Sequence, residues 1–93
     1  MSALKLGDNG LSLEISGRMT VAELPGLLAG LAPFYGMTHV DLAAVDRVDS
    51  SALSLLLELG RRSGGHTVTV YHAPASLRAL SDIYGLQTLF WVV

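Results

Sequence analysis

The stretch DLAAVDRVDSSALSLLLELGRR, residues 41–62, decides the fold of this chain. It begins inside a short apolar segment, Val40 to Leu42, which predicts a β-strand. An acidic turn with two adjacent serines follows, and then an almost entirely apolar run that predicts a helix. Ser50 or Ser51 can cap this helix, and the two glycines at 64 and 65 can end it. A strand that leads directly into a helix predicts a β–α unit.

Two strands and one helix are predicted before this stretch. Ala3 to Leu6 and Leu11 to Ser16 alternate in character and flank the sequence GDNG, which is typical of an antiparallel hairpin. Gly17 is expected to end the second strand. Thr20 can cap a helix that runs to about Ala32, because leucines recur there at helical spacing.

One strand and one helix are predicted after the stretch. Thr67 to Tyr71 is rich in β-branched residues and predicts a strand. Pro74 can open a helix that Gly85 ends. The expected buried face of this helix is formed by Leu77, Leu80 and Ile83.

The order of these elements predicts an α/β fold. We expect a small domain with a mixed β-sheet, an N-terminal antiparallel hairpin followed by parallel strands, packed with about three helices. A chain of 93 residues is long enough for one core, so we expect residues 1–93 to form a single domain. This size favours an interaction module over a complete enzyme.

Composition excludes several classes of function. The net charge is −2 and the six Lys and Arg residues are scattered, so we expect no nucleic-acid partner. There are no cysteines, which fits a reducing compartment. The first ten residues have no apolar core of signal-peptide length, and no apolar run approaches the roughly 20 residues of a membrane span. We therefore expect a cytoplasmic protein with no direct membrane span.

The segment VDLAAVDRVDSSALSLLLEL resembles the central signature of STAS domains, in which a strand ending in Asp-Leu leads through a Val-Asp-Ser-Ser/Thr turn into an apolar helix. The likeness extends to Gly17 and Thr20, to Gly65 before TVTV, and to the run from Pro74 through IYGL. Within the family, RVDSSALSLLLEL is most similar to the MlaB branch. This resemblance implies a non-catalytic subunit that binds the MlaF-like ATPase of a phospholipid-transporting ABC system. Through the ATPase it would contact the permease indirectly and lie at the inner membrane.

A second branch of the family contains the anti-sigma factor antagonists, whose Asp-Ser-Ser-Gly motif carries a phosphorylatable serine. Ser51 falls at that position, and Ser50 stands where the transporter branch usually has Thr. Ala52 replaces the usual Gly. The motif by itself leaves both branches open, with Ser51 or Ser50 as the phosphorylation candidate in the second.

The residues around the serines form the candidate partner-binding site: Asp49, Ser50, Ser51, Ala52 and Leu53. In the docking hypothesis Asp49 fixes the turn and one hydroxyl, Ser50 first, contacts the partner. In the simpler hypothesis the serines only accept hydrogen bonds from the unpaired N–H groups of the first helical turn. A phosphate at Ser51 would be favoured by the helix N-terminus and opposed by the charge of Asp49. We expect it to disrupt docking.

Apolar residues exceed what one buried helix stripe requires. The leucines of the central helix cover more than one face: Leu53, Leu55, Leu56, Leu57 and Leu59. They are either partly exposed for a partner or covered by the other two helices. The apolar ending Leu89 to Val93 is an edge strand, core packing or a second contact with the ATPase or permease. A homodimer through exposed apolar surface is a further alternative.

Nothing in the sequence favours catalysis, and we expect neither enzymatic activity nor a cofactor. The three histidines lie on or beside expected strands: His39, His66 and His72. Their spacing does not match a metal motif, and the Gly64-Gly65 pair is not followed by the Lys-Ser/Thr of a phosphate-binding loop. Three aspartates lie close in sequence: Asp41, Asp46 and Asp49. Acidic residues in a turn are usually solvated or capping, so we expect no metal site.

Overall fold

The sheet has the mixed topology expected from the sequence. The computed structural model describes residues 3–7, 10, 12–65, 67–85 and 90–92. Five strands form one sheet in the order β1-β2-β3-β4-β5. They are β1 Ala3–Leu6, β2 Ser12–Met19, β3 His39–Val48, β4 Val68–Tyr71 and β5 Phe90–Val92. β1 pairs antiparallel with β2, and every other pair is parallel. The predicted fold class is confirmed.

Three helices connect and cover the strands. They are α1 Leu24–Ala29, α2 Ser51–Arg62 and α3 Ala75–Tyr84, with a 3₁₀ turn at Ala32–Phe34. α3 begins after Pro74 and ends at Gly85, whose φ of 65° is the left-handed conformation that glycine adopts without a steric cost. Both predicted ends of α3 are confirmed.

The core lies between the helices and one face of the sheet. Alternate residues of each strand lie on that face. Leu13, Val40 and Val70 form one such row, because they are in register across β2, β3 and β4. All three are fully buried. The opposite face carries half-buried polar side chains, including Glu14 and Asp41. A sheet with one packed and one polar face explains the alternation seen in the sequence.

The strands β2 and β3 are both longer than predicted. Gly17 does not end β2, which continues to Met19, and β3 continues to Val48. Gly17 adopts a φ of 83° and lies between two register shifts of the ladder, so it bends the strand instead of breaking it. The charged residues Asp46 and Arg47 are exposed on the extended part of β3, which is why this segment looked like a loop.

The first helix is shorter than predicted. It begins at Leu24 and ends at Ala29, where Thr20 and Ala32 were the expected limits. The Thr20 hydroxyl donates to the Glu23 carboxylate and does not cap the helix. Proline lies in the first helical turn, where its missing N–H costs nothing, so α1 starts there and residues 21–23 form a turn.

The burial of apolar side chains tests the predictions made for α2 and α3. On α2, four of the five leucines are buried and the fifth, Leu57, is half-buried, so other elements cover them. On α3, Leu77 is fully buried and Leu80 half-buried, but Ile83 is 75% exposed. The prediction that Ile83 lies on the buried face was wrong. The buried stripe of α3 is therefore narrower than its apolar pattern.

The apolar ending supplies an edge strand. Residues 90–92 of the Leu89 to Val93 segment form β5, which pairs in parallel with β4 through Val68, Thr69 and Val70. Residues 89 and 93 lie outside the described residues. Backbone pairing at the edge of the sheet is thus the observed role of this segment.

Leucine-to-alanine and isoleucine-to-alanine changes on the same helix test this packing. We expect Leu77→Ala to lower the free energy of unfolding by ~2–5 kcal/mol, because it leaves a cavity in the core. Ile83→Ala should change it by less than about 0.5 kcal/mol, because that side chain is exposed. Urea unfolding of the two variants measures both. Equal losses would contradict the burial difference.

Candidate functional site

The two loops that begin α1 and α2 meet at one edge of the sheet. β2 and β3 run parallel and end side by side, with Met19 in register with Val48. The first residue beyond β3, Asp49, donates its N–H to the Met19 carbonyl oxygen at 3.3 Å. The extended β2–β3 ladder therefore places the start of α2 next to the segment that leads into α1.

The carboxylate of Asp49 joins these two loops. Its Oδ2 accepts a hydrogen bond from the Val21 N–H at 3.0 Å, and its Oδ1 accepts one from the Ser51 N–H at 2.8 Å. These two backbone donors, Val21 first, hold the pKa of Asp49 below its usual value of 3.8. The side chain is therefore an anion at neutral pH. Asp49 thus links residue 21 to the first residue of α2.

The backbone N–H groups that open α2 are already paired. Ser51 donates to the Asp49 carboxylate, Ala52 donates to the Asp49 carbonyl at 3.1 Å, and Leu53 donates to the Ser50 carbonyl at 3.1 Å. The Ser50 side chain makes no capping hydrogen bond, so the prediction of a serine cap is wrong for this residue. Its backbone is already helical (φ −62°, ψ −17°), whereas a capping side chain needs an extended backbone. Asp49 performs the capping instead.

The five predicted site residues differ sharply in accessibility. Ser50 is exposed, and Ser51 is half-buried. Ala52 and Leu53 are 1% and 5% exposed and belong to the core. The surface part of the site is therefore the turn. Ala52 and Leu53 anchor the start of α2 in the core.

One neighbouring residue was missed by sequence reasoning. Val21 is 67% exposed, although it is apolar, and its backbone N–H is the donor bound by Asp49. Ala22 and Ser54 are also exposed, Ser54 one helical turn after Ser50. No local sequence pattern indicates Val21, because a contact between residues 28 positions apart brings it to the turn. Small apolar and hydroxyl side chains therefore surround the Asp49 carboxylate.

Among the described residues, His39, His72 and Asp41 do not join this site. His72 Nδ1 lies 3.0 Å from Asp41 Oδ1, and the Asp41 carboxylate also accepts the Ala43 N–H at 2.9 Å. Partial burial raises the pKa of Asp41, but these two hydrogen bonds outweigh it and the net shift is downward. His39 stacks on Tyr71 with ring centres 5.9 Å apart. His66 lies outside the described residues.

No group of three or more metal-ligating side chains occurs within the described part of the chain. Among the same residues, no helix has the length and apolar character needed to cross a membrane.

A family model described as "Mlab, STAS domain" matches residues 2–92. The chain belongs to the STAS domain family. The resemblance carried by the Asp-Ser-Ser turn is thereby confirmed, including its MlaB-like character. STAS domains are generally non-catalytic domains of regulation and interaction, and an MlaB-like member implies a role in protein–protein contact.

Two solved structures of the same fold are anti-sigma factor antagonists. One, from Mycobacterium paratuberculosis, is 19% identical with a TM-score of 0.78 and covers 99% of this chain and 85% of its own. The other, SpoIIAA in its unphosphorylated form, is 15% identical with a TM-score of 0.65 and covers 100% of this chain and 87% of its own. At these identities the likeness shows the STAS fold alone. A search of curated protein sequences finds no match.

Removal of the Asp49 charge tests the role of the clamp. We expect Asp49→Asn to lower the urea midpoint at pH 7, because an amide cannot accept both N–H bonds as strongly. A carboxyl group with a lowered pKa stabilises the fold above its usual value near 3.8, and this contribution is lost as the pH falls through the lowered pKa. The difference between wild type and variant should therefore shrink below pH 3.8. Asp46→Asn, at an exposed position, is the control and should have no comparable effect.

Proposed function

We propose that this STAS domain is a non-catalytic cytoplasmic subunit of a bacterial phospholipid-transport ABC complex. It binds the ATPase subunit through the turn that begins α2 and supports assembly and activity of the ATPase. Contact with the permease is indirect, and the protein lies at the inner membrane through the complex. The observation that carries this proposal is an exposed Ser50 on a turn that the Asp49 carboxylate holds rigid, in a chain of MlaB-like sequence.

A rigid turn favours protein docking. The Asp49 carboxylate and the Met19 carbonyl oxygen fix the loop ends, so little conformational freedom is lost when a partner binds. The exposed side chains around it, Val21, Ser50 and Ser54, combine apolar contact with hydroxyl hydrogen bonding.

The same geometry is less suited to the alternative, an anti-sigma factor antagonist switched by serine phosphorylation. A phosphate at a helix start is normally stabilised by free N–H groups, but those of Ser51, Ala52 and Leu53 are already paired. The Asp49 carboxylate, which binds the Ser51 N–H, is also an anion. A phosphorylated Ser51 would face this like charge.

A large cationic side chain at position 50 tests the docking surface. We expect Ser50→Arg to weaken binding of the ATPase from the same organism by about tenfold or more, since it blocks the contact surface. Thr67→Arg, an equal change at an exposed hydroxyl before β4, is the control and should bind as wild type. Biolayer interferometry measures the affinities, and circular dichroism checks that both variants fold. Equal binding by wild type and Ser50→Arg would overturn the proposed surface, and no binding by wild type would overturn the function.

A negative side chain at position 51 tests the effect of modification. We expect Ser51→Glu to bind the ATPase about fivefold more weakly than Ser51→Ala, because its carboxylate repels Asp49 and disturbs the turn. Both variants lose the serine hydroxyl, so their difference reports the effect of the added carboxylate side chain. Unchanged binding by Ser51→Glu would mean that a phosphate at this position does not disrupt docking.

A further inference from the structure

A groove runs between α1, the 3₁₀ turn and the outer side of α2. It has a volume of about 410 Å³ and is lined by Leu28, Tyr35, Ser54, Glu58 and Arg62. Leu28 is half-buried and Tyr35 is 37% exposed, so this wall is apolar and accessible. The opposite wall, from α2, is polar. A groove of this size accommodates one or two side chains of another protein.

The polar wall belongs to an ion cluster at the end of α2 that carries an excess of positive charge. Arg61 donates from Nη2 to Glu58 Oε1 at 2.7 Å, and Arg62 donates from Nε to the same oxygen at 2.7 Å. These two arginines, Arg61 first, hold the pKa of Glu58 below its usual value, so Glu58 is an anion. One carboxylate between two guanidinium groups leaves a local charge of +1, on a chain whose net charge is −2.

Arg62 is the member of this cluster that lines the groove. Its Nε is bound to Glu58, and its guanidinium lies 6.0 Å from the centre of the Tyr35 ring. Neither terminal amino group has a polar partner among the residues that the structure describes, and the side chain is 53% exposed. The contacts with Glu58 and Tyr35 therefore orient the guanidinium. Its two terminal amino groups can donate a pair of hydrogen bonds to a carboxylate, which is the geometry that arginine favours.

The groove is continuous with the proposed docking surface. Ser50, Ser54, Glu58 and Arg62 are four residues apart in turn, so they form one stripe along the outside of α2. Ser54 belongs both to this stripe and to the lining of the groove. A partner seated on the Ser50 turn would therefore extend over the groove.

We infer that the groove receives an acidic side chain of the ATPase, with its carboxylate on Arg62 and a neighbouring apolar side chain against Leu28 and Tyr35. This inference rests on the proposed function. The occupant is acidic because Arg62 is the cation that lines the groove and its terminal amino groups have no polar partner among the described residues, and an apolar neighbour fits the other wall. Arg62 would thus anchor the partner at the end of α2 opposite to Ser50.

Two neighbouring arginines provide a matched test. Arg61 and Arg62 both bind Glu58 and carry the same charge, but only Arg62 lines the groove. We expect Arg62→Gln to weaken ATPase binding about tenfold and to reduce its dependence on salt concentration, since a charge-assisted contact is lost. Arg61→Gln should change the affinity by less than about twofold. Titration calorimetry at two salt concentrations gives both quantities, with thermal melts to check folding.

The outcomes separate the two proposals. Equal losses in Arg61→Gln and Arg62→Gln would show an effect of net charge and overturn the groove contact, and so would unchanged binding by Arg62→Gln. If wild type binds and Ser50→Arg weakens binding in either case, the proposed function stands and only the groove is lost. If wild type does not bind the ATPase, the proposed function is overturned and the groove contact with it.

Discussion

The pairing of one carboxylate with two loops is the constraint on which the candidate site depends. Asp49 accepts N–H groups from Val21 and from Ser51, one from the entrance of α1 and one from the first turn of α2. Without this bridge, the parallel strands would still bring the two loops to one edge, but nothing on the loops themselves would fix their separation. The same two hydrogen bonds favour the ionised form of Asp49 and so lower its pKa.

The clamp also determines what kind of chemistry the helix start offers. In many proteins the free N–H groups of a helix N-terminus bind an anion. Here the main chain and the Asp49 carboxylate have already used them, so the turn presents hydroxyl and small apolar side chains without a strong electrostatic demand. That surface suits recognition by a protein, and it makes an added phosphate a disturbance of the turn. A charged cluster of Glu58, Arg61 and Arg62 lies at the other end of α2.

The burial of the α2 leucines assigns the two sides of this helix to different roles. The core buries four of these leucines: Leu53, Leu55, Leu56 and Leu59. The residues left for a partner are therefore polar or small, and any specificity has to come from hydrogen bonds, shape and the arginine cluster rather than from a broad apolar face. Exposed apolar side chains occur instead at isolated positions such as Val21 and Ile83.

Sequence patterns were sufficient for the elements whose residues carry a local signal. β-Branched alternation marked β4, Pro74 and Gly85 marked the ends of α3, and the apolar run of 51–62 marked α2. The patterns failed where pairing outweighed composition. Gly17 was expected to end β2, and the charged end of β3 looked like a loop, yet the two strands support each other through a bulged parallel ladder. Residue propensity is a property of a single segment, whereas a β-ladder depends on the pairing of two strands.

The sequence by itself determined the mixed α/β fold, the family and the position of the Asp-Ser-Ser turn, because these depend on periodicity, turn residues and a contiguous motif. Only the tertiary structure decided which side chains of that motif reach the surface, and it exposed Ser50 while burying Ala52 and Leu53. It also decided that Asp49, not a serine, caps α2 and that Val21 and Arg62 border the candidate surface. The physical reason is that burial and hydrogen-bond pairing depend on segments distant in sequence, such as residues 21 and 49, whose contact no local pattern encodes.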